Sequence, residues 1–206
     1  MRLRFAAFAI LACLAAPPFA AAAAPAGQVL ALFGPCFIET GGHTAALKFG
    51  DPVHVGDAVD VAAGGKLKLR MADGSIIAVA SNSRLTIKNY TVAQNGASRL
   101  AALSLAHGLL RAVVSPLRGG SHFEVDTATG VAAVRSTDWF VEARAGVTQV
   151  GVLKGRVSLE SAATGRSVLI PAHWGARVYA GKDPTPPRAW SHAEFADVIR
   201  RTNLPR

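Results

Sequence analysis

Hydrophobic and polar residues alternate along most of the chain. In residues 66–71 three apolar side chains alternate with three basic ones, in the order Lys-Leu-Lys-Leu-Arg-Met. A period of two places the apolar side chains on one face of a β-strand and the charged ones on the other. Asp73-Gly74 follows directly and predicts a two-residue type I′ turn into a second strand at residues 75–79.

Several further segments have the same short, alternating character. Glycine-containing pairs separate predicted strands at residues 84–87, 123–127, 147–153, 156–160 and 167–170. Residues 97–114 are compatible with a helix or with strands, and the alternation of Leu103 and Leu105 about a serine leads us to favour strands. Many short strands with glycine between them predict an all-β domain, of the twisted β-solenoid or β-sandwich type.

The C-terminal end departs from this pattern. Residues 183–188 are rich in proline, and Ser191 stands three residues before Glu194, the spacing of a capping box. Phe195 and Val198 then follow at helical spacing. We therefore predict a linker and a short C-terminal helix within residues 182–206, with the helix ending near Thr202.

The N-terminal end has the three parts of a secretory signal peptide. A basic Met-Arg-Leu-Arg start precedes an apolar run at residues 5–16, and two prolines and a string of alanines follow. The run is shorter than the ~20 residues that a membrane-spanning helix needs. We predict a signal peptide at residues 1–24 and a periplasmic or secreted protein without a transmembrane segment after cleavage. Lipidation at Cys13 is the less favoured alternative.

Charge and cysteine content restrict the function further. The net charge is +9, and +7 remain once Arg2 and Arg4 leave with the signal peptide. The basic residues are scattered and do not form a stripe with aromatic residues, so we predict no nucleic-acid partner. Cys36 would be the single remaining thiol, which rules out an internal disulfide, and we interpret it as a small buried side chain.

The residues that could carry chemistry do not form a recognisable site. The six histidines are far apart in sequence and lack ligand spacing, and no phosphate-binding or nucleophile motif is present. Ser136, Asp138 and His122 have the residue types of a catalytic triad, but nothing in the sequence brings them together. We predict no catalytic residue, no metal site and no cofactor.

An ordered set of motifs resembles the FecR domain family. The set includes the Gly-Asp pairs at residues 50–51 and 56–57 and the Asp-Gly-Ser hairpin at residues 73–75. It continues with Val-Arg-Ser-Thr at residues 134–137, Phe140-Val141, and Val-Leu-Lys-Gly-Arg-Val at residues 152–157. The resemblance extends over about residues 27–181, and Ser136 stands where the family has glycine.

The resemblance implies a domain that signals through protein contacts and is not an enzyme. FecR domains are similar to the periplasmic part of anti-sigma regulators, but this sequence shows neither a cytoplasmic sigma-binding segment nor a membrane helix behind the signal. We expect an envelope protein as partner, and the positive charge makes an anionic envelope polymer the alternative. Trp139 and Arg135 are the candidate contact residues. One of the adjacent aromatics Trp139 and Phe140 is expected to face outward, which would make a surface Trp139 a contact residue. Burial of Trp139 against the C-terminal helix is the equally weighted alternative.

Overall fold

The computed structural model describes residues 24–204. Residues 1–23 of the predicted signal peptide, including Cys13, lie outside the described residues, as do residues 205–206. Within the described part the chain forms the following strands and helix in order: β1 Gly27–Phe33, β2 Cys36–Thr40, β3 His43–Ala46, β4 Pro52–Val53, β5 Ala58–Val61, β6 Lys66–Met71, β7 Ile76–Val79, β8 Ser83–Val92, β9 Arg99–Val113, β10 Ser121–Asp126, β11 Gly130–Val134, β12 Asp138–Arg144, β13 Val147–Lys154, β14 Arg156–Ser161, β15 Ser167–Pro171, β16 Trp174–Tyr179, β17 Arg188–Ala189 and α1 His192–Thr202.

The strands form two open sheets joined by β9. The first sheet has the order β4-β1-β6-β7-β9-β12-β13-β16-β17. The second has the order β3-β2-β5-β8-β9-β10-β11-β14-β15. The chain passes repeatedly from one sheet to the other, and one core cluster contains side chains of both. The all-β, single-domain prediction is therefore confirmed.

Strand β9 belongs to both sheets and bends between them. Its first half pairs with β8 and β10, and its second half pairs with β7 and β12. Gly108 lies at the change of sheet with φ +98°, where a Cβ atom would collide with Ser83. The preference for strands over a helix in residues 97–114 is confirmed, and glycine is required at the bend because other residues rarely adopt this φ.

The hairpin at Asp73-Gly74 is confirmed, but the predicted turn type is wrong. The Gly74 N–H donates to the Met71 carbonyl at 2.9 Å, and the Met71 N–H donates to the Ser75 carbonyl at 2.9 Å. Only Gly74, with φ +82°, has a positive φ in this turn, whereas type I′ needs two such residues. The loop has three residues and a glycine at its end, because Asp73 turns its side chain inward to make buried contacts.

Helix α1 begins and ends where the sequence predicted. Ser191 caps the helix and Glu194 completes the capping box, with the Ser191 N–H donating to Glu194 Oε2 at 2.8 Å. Lys66 Nζ donates to the carbonyls of Arg200 at 2.9 Å and Asn203 at 2.6 Å, so a strand side chain holds the C-terminal end. Favourable interaction of a cation with the last carbonyls stabilises this end.

The helix packs on the outer face of the first sheet. Val198 of the helix forms a second apolar cluster with Ala80, Leu109 and Phe140, against which Phe195 and Trp190 also pack. The Phe140 and Trp190 ring centroids are 5.0 Å apart. The helix thus covers apolar side chains that would otherwise face solvent. None of the helices in residues 24–204 has the length and apolar character needed to cross a membrane.

Candidate functional site

A wide groove lies on the outer face of the second sheet. It has a volume of about 1100 Å³ and crosses strands β8 to β15 at one end of that sheet. The outward side chains of neighbouring strands lie in rows: Leu100 is in register with His122, and Ser158 with Leu169. Small outward residues such as Ala133 and Ser158 form part of its lining. Paired strands therefore form the floor of the groove, and connecting residues such as Arg135 and Ser136 complete its lining.

Positive charge in the groove is not compensated. Arg135 and Arg156 both line it and are exposed, and neither forms a salt bridge within residues 24–204. No Asp or Glu belongs to the groove lining in this described part of the chain. Leu100 and Leu169 add apolar surface, with 48% and 60% of their area exposed. The arrangement can attract an anionic group and contact an apolar one beside it.

A buried arginine lies beneath the groove and holds one of its walls. Arg99 Nη2 donates to the Arg135 carbonyl and to Ser121 Oγ, each at 2.9 Å. Its Nη1 donates to the Asp73 carboxylate, and both side chains are completely buried. The Arg99 guanidinium also lies over the Phe123 ring, 5.5 Å from its centroid. The backbone of Arg135 is thus fixed from inside the protein.

Asp73 is the centre of this buried network. Its carboxylate accepts hydrogen bonds from the Ser75 N–H at 3.0 Å, from Ser75 Oγ at 2.7 Å and from the Tyr90 hydroxyl at 2.7 Å. Burial by itself would raise the pKa of Asp73, but the hydrogen bonds from Ser75, Tyr90 and Arg99 outweigh it and hold that pKa below its usual value. Burial, followed by the charge of Asp73, raises the pKa of Tyr90 far above its usual range. Asp73 is therefore charged and Tyr90 neutral at physiological pH.

Sequence reasoning missed this network. The Asp73-Gly74 turn indicates only a local role for Asp73, which does accept a hydrogen bond from the Ser75 N–H, and Arg99 belongs to none of the motifs. The sequence does contain a sign of the buried network. Arg99 is an even number of residues from Ala101, Leu103 and Leu105, which all face the core, so it lies on the same inward face of the strand. A charged residue at an inward position of a strand requires a buried partner of opposite charge.

The two candidate contact residues lie in different environments. Arg135 is exposed at the groove, in the segment that connects β11 of the second sheet to β12 of the first. Trp139 is completely buried in the main core, so of its two predicted positions the surface one is wrong. Both faces of β12 are covered, one by the second sheet and the other by Trp190 and α1, so Phe140 is buried too. Trp139 therefore presents no side chain on the folded surface.

Ser136 fits its position without strain. It is exposed and its φ is not positive, so serine is compatible with the connection where the family has glycine. The neighbouring Thr137 Oγ1 donates to the Arg156 carbonyl at 3.4 Å, which links the two arginine-bearing segments of the groove.

The residues with triad chemistry have other partners. His122 Nε2 lies 2.6 Å from Glu124 Oε2. Both Asp138 oxygens accept hydrogen bonds from Arg111, at 2.9 and 2.8 Å. Ser136 and His122 both line the groove, but Asp138 is not part of its lining. Over residues 24–204, no group of three or more His, Cys, Asp or Glu side chains has an arrangement that could hold a metal ion.

These features define an all-β domain with a basic groove on its second sheet, and comparison with known proteins shows a family match over part of the chain. Residues 57–158 match the family model described as FecR protein, so this part of the chain is a FecR domain. The predicted resemblance is confirmed over that range. No curated protein matches the chain.

Two solved structures share the fold. Both are crystal structures of a candidate anti-sigma factor from Parabacteroides distasonis, with TM-scores of 0.56 and 0.55 and 14% sequence identity. Each comparison covers 68% of this chain and 62% of the other, so this chain matches less than two thirds of that protein's length. At this identity the likeness establishes the fold alone.

Proposed function

We propose that this protein is an exported, non-catalytic FecR-domain protein that binds another protein of the cell envelope and takes part in envelope signalling. In this proposal residues 1–24 are the signal peptide, residues 27–181 the binding domain and residues 182–206 a linker with a helix that packs back on it. The location is the periplasm or the cell exterior. No cofactor is needed, because the function is recognition.

The observation that carries this proposal is the basic groove on the second sheet. Arg135 and Arg156 are exposed without a salt-bridge partner in residues 24–204, beside the exposed Leu100 and Leu169. Conversely, the other long outward cations of this sheet face are paired. Arg84 binds Glu39 and Asp60, and Lys88 binds Asp126. Unpaired arginines next to apolar surface are typical of protein-binding sites, where arginine is enriched.

The family supports the same proposal. The FecR match covers residues 57–158, and the structural neighbours are described as anti-sigma factors, which act through protein partners. Arg135 remains a proposed contact residue. Trp139 has a proposed indirect role only, as core support for the strand that follows Arg135.

Crosslinking in cells tests the proposal. A photoreactive amino acid at Leu100 would sample the groove, and the matched control is Val113, which lies on the same strand but on the outer face of the first sheet and is 44% exposed. We expect a defined protein adduct from position 100 that is absent or weaker from position 113. Recovery of only glycan or lipid from position 100 would contradict a protein partner.

The second candidate function is binding of an anionic envelope polymer. It is favoured by the net charge of +7 that remains without Arg2 and Arg4 of the signal peptide, and by a groove lining without carboxylates among the described residues. Sedimentation with cell-wall sacculi or lipopolysaccharide at low and high salt tests it. Binding at low salt that is lost at high salt and requires Arg135 and Arg156 would favour the polymer over the protein partner.

A further inference from the structure

We infer that the groove binds an extended, acidic segment of a partner protein, in which a carboxylate pairs with Arg135 and Arg156 and an adjacent apolar side chain packs on Leu100 or Leu169. This inference rests on the proposed function and specifies the chemistry of the partner.

The negative charge expected of the partner segment follows from the position of the arginines without a salt bridge. On the outer face of the second sheet, Arg84 and Lys88 have carboxylate partners in the same molecule. Arg135 and Arg156 have none in residues 24–204, and the described lining around them contains no Asp or Glu. A partner carboxylate can therefore bind without displacing an existing ion pair. Arginine is suited to it because the guanidinium binds carboxylates through two parallel hydrogen bonds.

The apolar surface favours a peptide over a polysaccharide. Leu169 is 60% exposed on β15 and Leu100 is 48% exposed on β9, at two sides of the same groove. Burial of such surface stabilises a complex by about 25 cal/mol per Å², and a hydroxyl-rich glycan offers less apolar surface for this than leucine side chains do. A segment with both acidic and apolar side chains uses all the features of the lining.

The groove is large and pre-formed enough for an extended chain. Its volume of about 1100 Å³ is comparable to the upper end of typical small-molecule sites, on the order of 1000 Å³. Its wall at Arg135 is held by the buried Arg99, whose Nη2 donates to the Arg135 carbonyl at 2.9 Å. Because this backbone is already ordered, less conformational entropy is lost when the side chain binds.

Peptide binding to the purified protein tests the inference. The probe is a dye-labelled peptide of alternating leucine and glutamate, and its control has glutamine in place of glutamate. Fluorescence anisotropy would be measured with the unaltered protein and with the Arg135→Gln and Arg156→Gln variants. The matched control is Arg70→Gln, which removes one exposed charge from the first sheet, where Arg70 has no salt bridge within residues 24–204.

We expect each groove variant to weaken binding of the acidic peptide about tenfold or more, as for the loss of a hydrogen bond to a charged group, and Arg70→Gln to leave it unchanged. The glutamine peptide should bind at least tenfold more weakly than the acidic one. Thermal unfolding of each variant confirms that it is folded.

Two outcomes would overturn the inference. One is equal loss of binding in all three variants, which indicates general attraction to a basic protein. The other is tighter binding of lipopolysaccharide or sacculi than of the acidic peptide at the same two arginines. A protein adduct in cells that does not depend on Arg135 or Arg156 would leave the proposed function intact and refute this inference alone.

Discussion

Replacement of Asp73 by asparagine is expected to be strongly destabilising, although the side chain keeps its size. Asp73 is completely buried and neutralises the equally buried Arg99. In the Asp73→Asn variant the remaining oxygen can still accept one or two hydrogen bonds, from Ser75 or Tyr90. Arg99 keeps only neutral acceptors, namely Ser75 Oγ at 3.2 Å, Ser115 O at 3.3 Å, Ser121 Oγ and the Arg135 carbonyl.

The expected cost follows from the uncompensated charge. Removal of one member of a buried ion pair costs about 3–5 kcal/mol, since the partner's charge stays buried. For a domain of this size each kcal/mol lowers Tm by roughly 2–4 °C, so the melting temperature should fall by about 6–20 °C. The matched control Tyr90→Phe removes a single hydrogen bond to the same carboxylate, 2.7 Å long, and should cost about 1.5–3 kcal/mol.

Urea unfolding of the single and double variants measures the effect. The double variant Asp73→Asn with Arg99→Met removes both charges, so it should be less destabilised than the sum of the two single variants by at least about 2 kcal/mol. The pH dependence has a defined sign. Because the folded pKa of Asp73 is lowered, its contribution is fully present above the unfolded pKa of about 4 and is lost as pH falls through the folded value. The difference between Asp73→Asn and the unaltered protein should therefore shrink in acid. A loss of less than about 1 kcal/mol of unfolding free energy in Asp73→Asn would refute the role assigned to the Asp73–Arg99 ion pair. Additive effects of the two single substitutions in the double variant would refute it as well.

Three further predictions concern other parts of the fold. Phe140→Ala should cost about 3–5 kcal/mol and increase hydrogen exchange in residues 192–202, because Phe140 supports α1; unchanged exchange there would contradict this. The Arg188 hydrogen bond, then those of Ser191, lower the pKa of Glu194 to about 2, so its contribution to the helix cap should be present above pH ~4.3 and lost towards pH 2. Carboxyl NMR checks this, and the effect on stability should be under about 1 kcal/mol because the pair is partly exposed. Burial raises the pKa of Cys36, so thiol reagents should react only as fast as the protein unfolds, and rapid labelling of the native protein would disprove its burial.

The sequence predicted correctly those strands and helices whose formation depends on residues close to one another in the chain. The alternation in residues 66–71 predicted β6, and the capping box predicted α1, because both depend on period or on contacts within a few residues. The hairpin at residues 72–75 was predicted, but the type I′ turn predicted for it was wrong, because Asp73 has no positive φ. The Asp73 side chain is buried against Arg99, 26 residues further along the chain. Contacts at this separation leave little trace in a local pattern.

The burial of Trp139 shows that alternation along a strand does not predict whether the second face of that strand is exposed to solvent. Adjacent aromatic residues on a strand point to opposite faces, and the sequence alone suggested that one face is solvent. In the structure the second face of β12 is covered by α1, which lies more than fifty residues later in the chain, so Trp139 and Phe140 are both buried. The contact role remains with Arg135, which lies where the chain leaves one sheet for the other.

The strand content, the C-terminal helix and the FecR resemblance follow from the amino-acid sequence alone, because they depend on short-range periodicity and on an ordered set of motifs. The bend of β9 between two sheets, the burial of Arg99 against Asp73 and the position of Arg135 and Arg156 in one groove follow only from the folded chain. These features arise when strands distant in sequence become neighbours in space. Their charges and surfaces then combine into a site that no single segment contains.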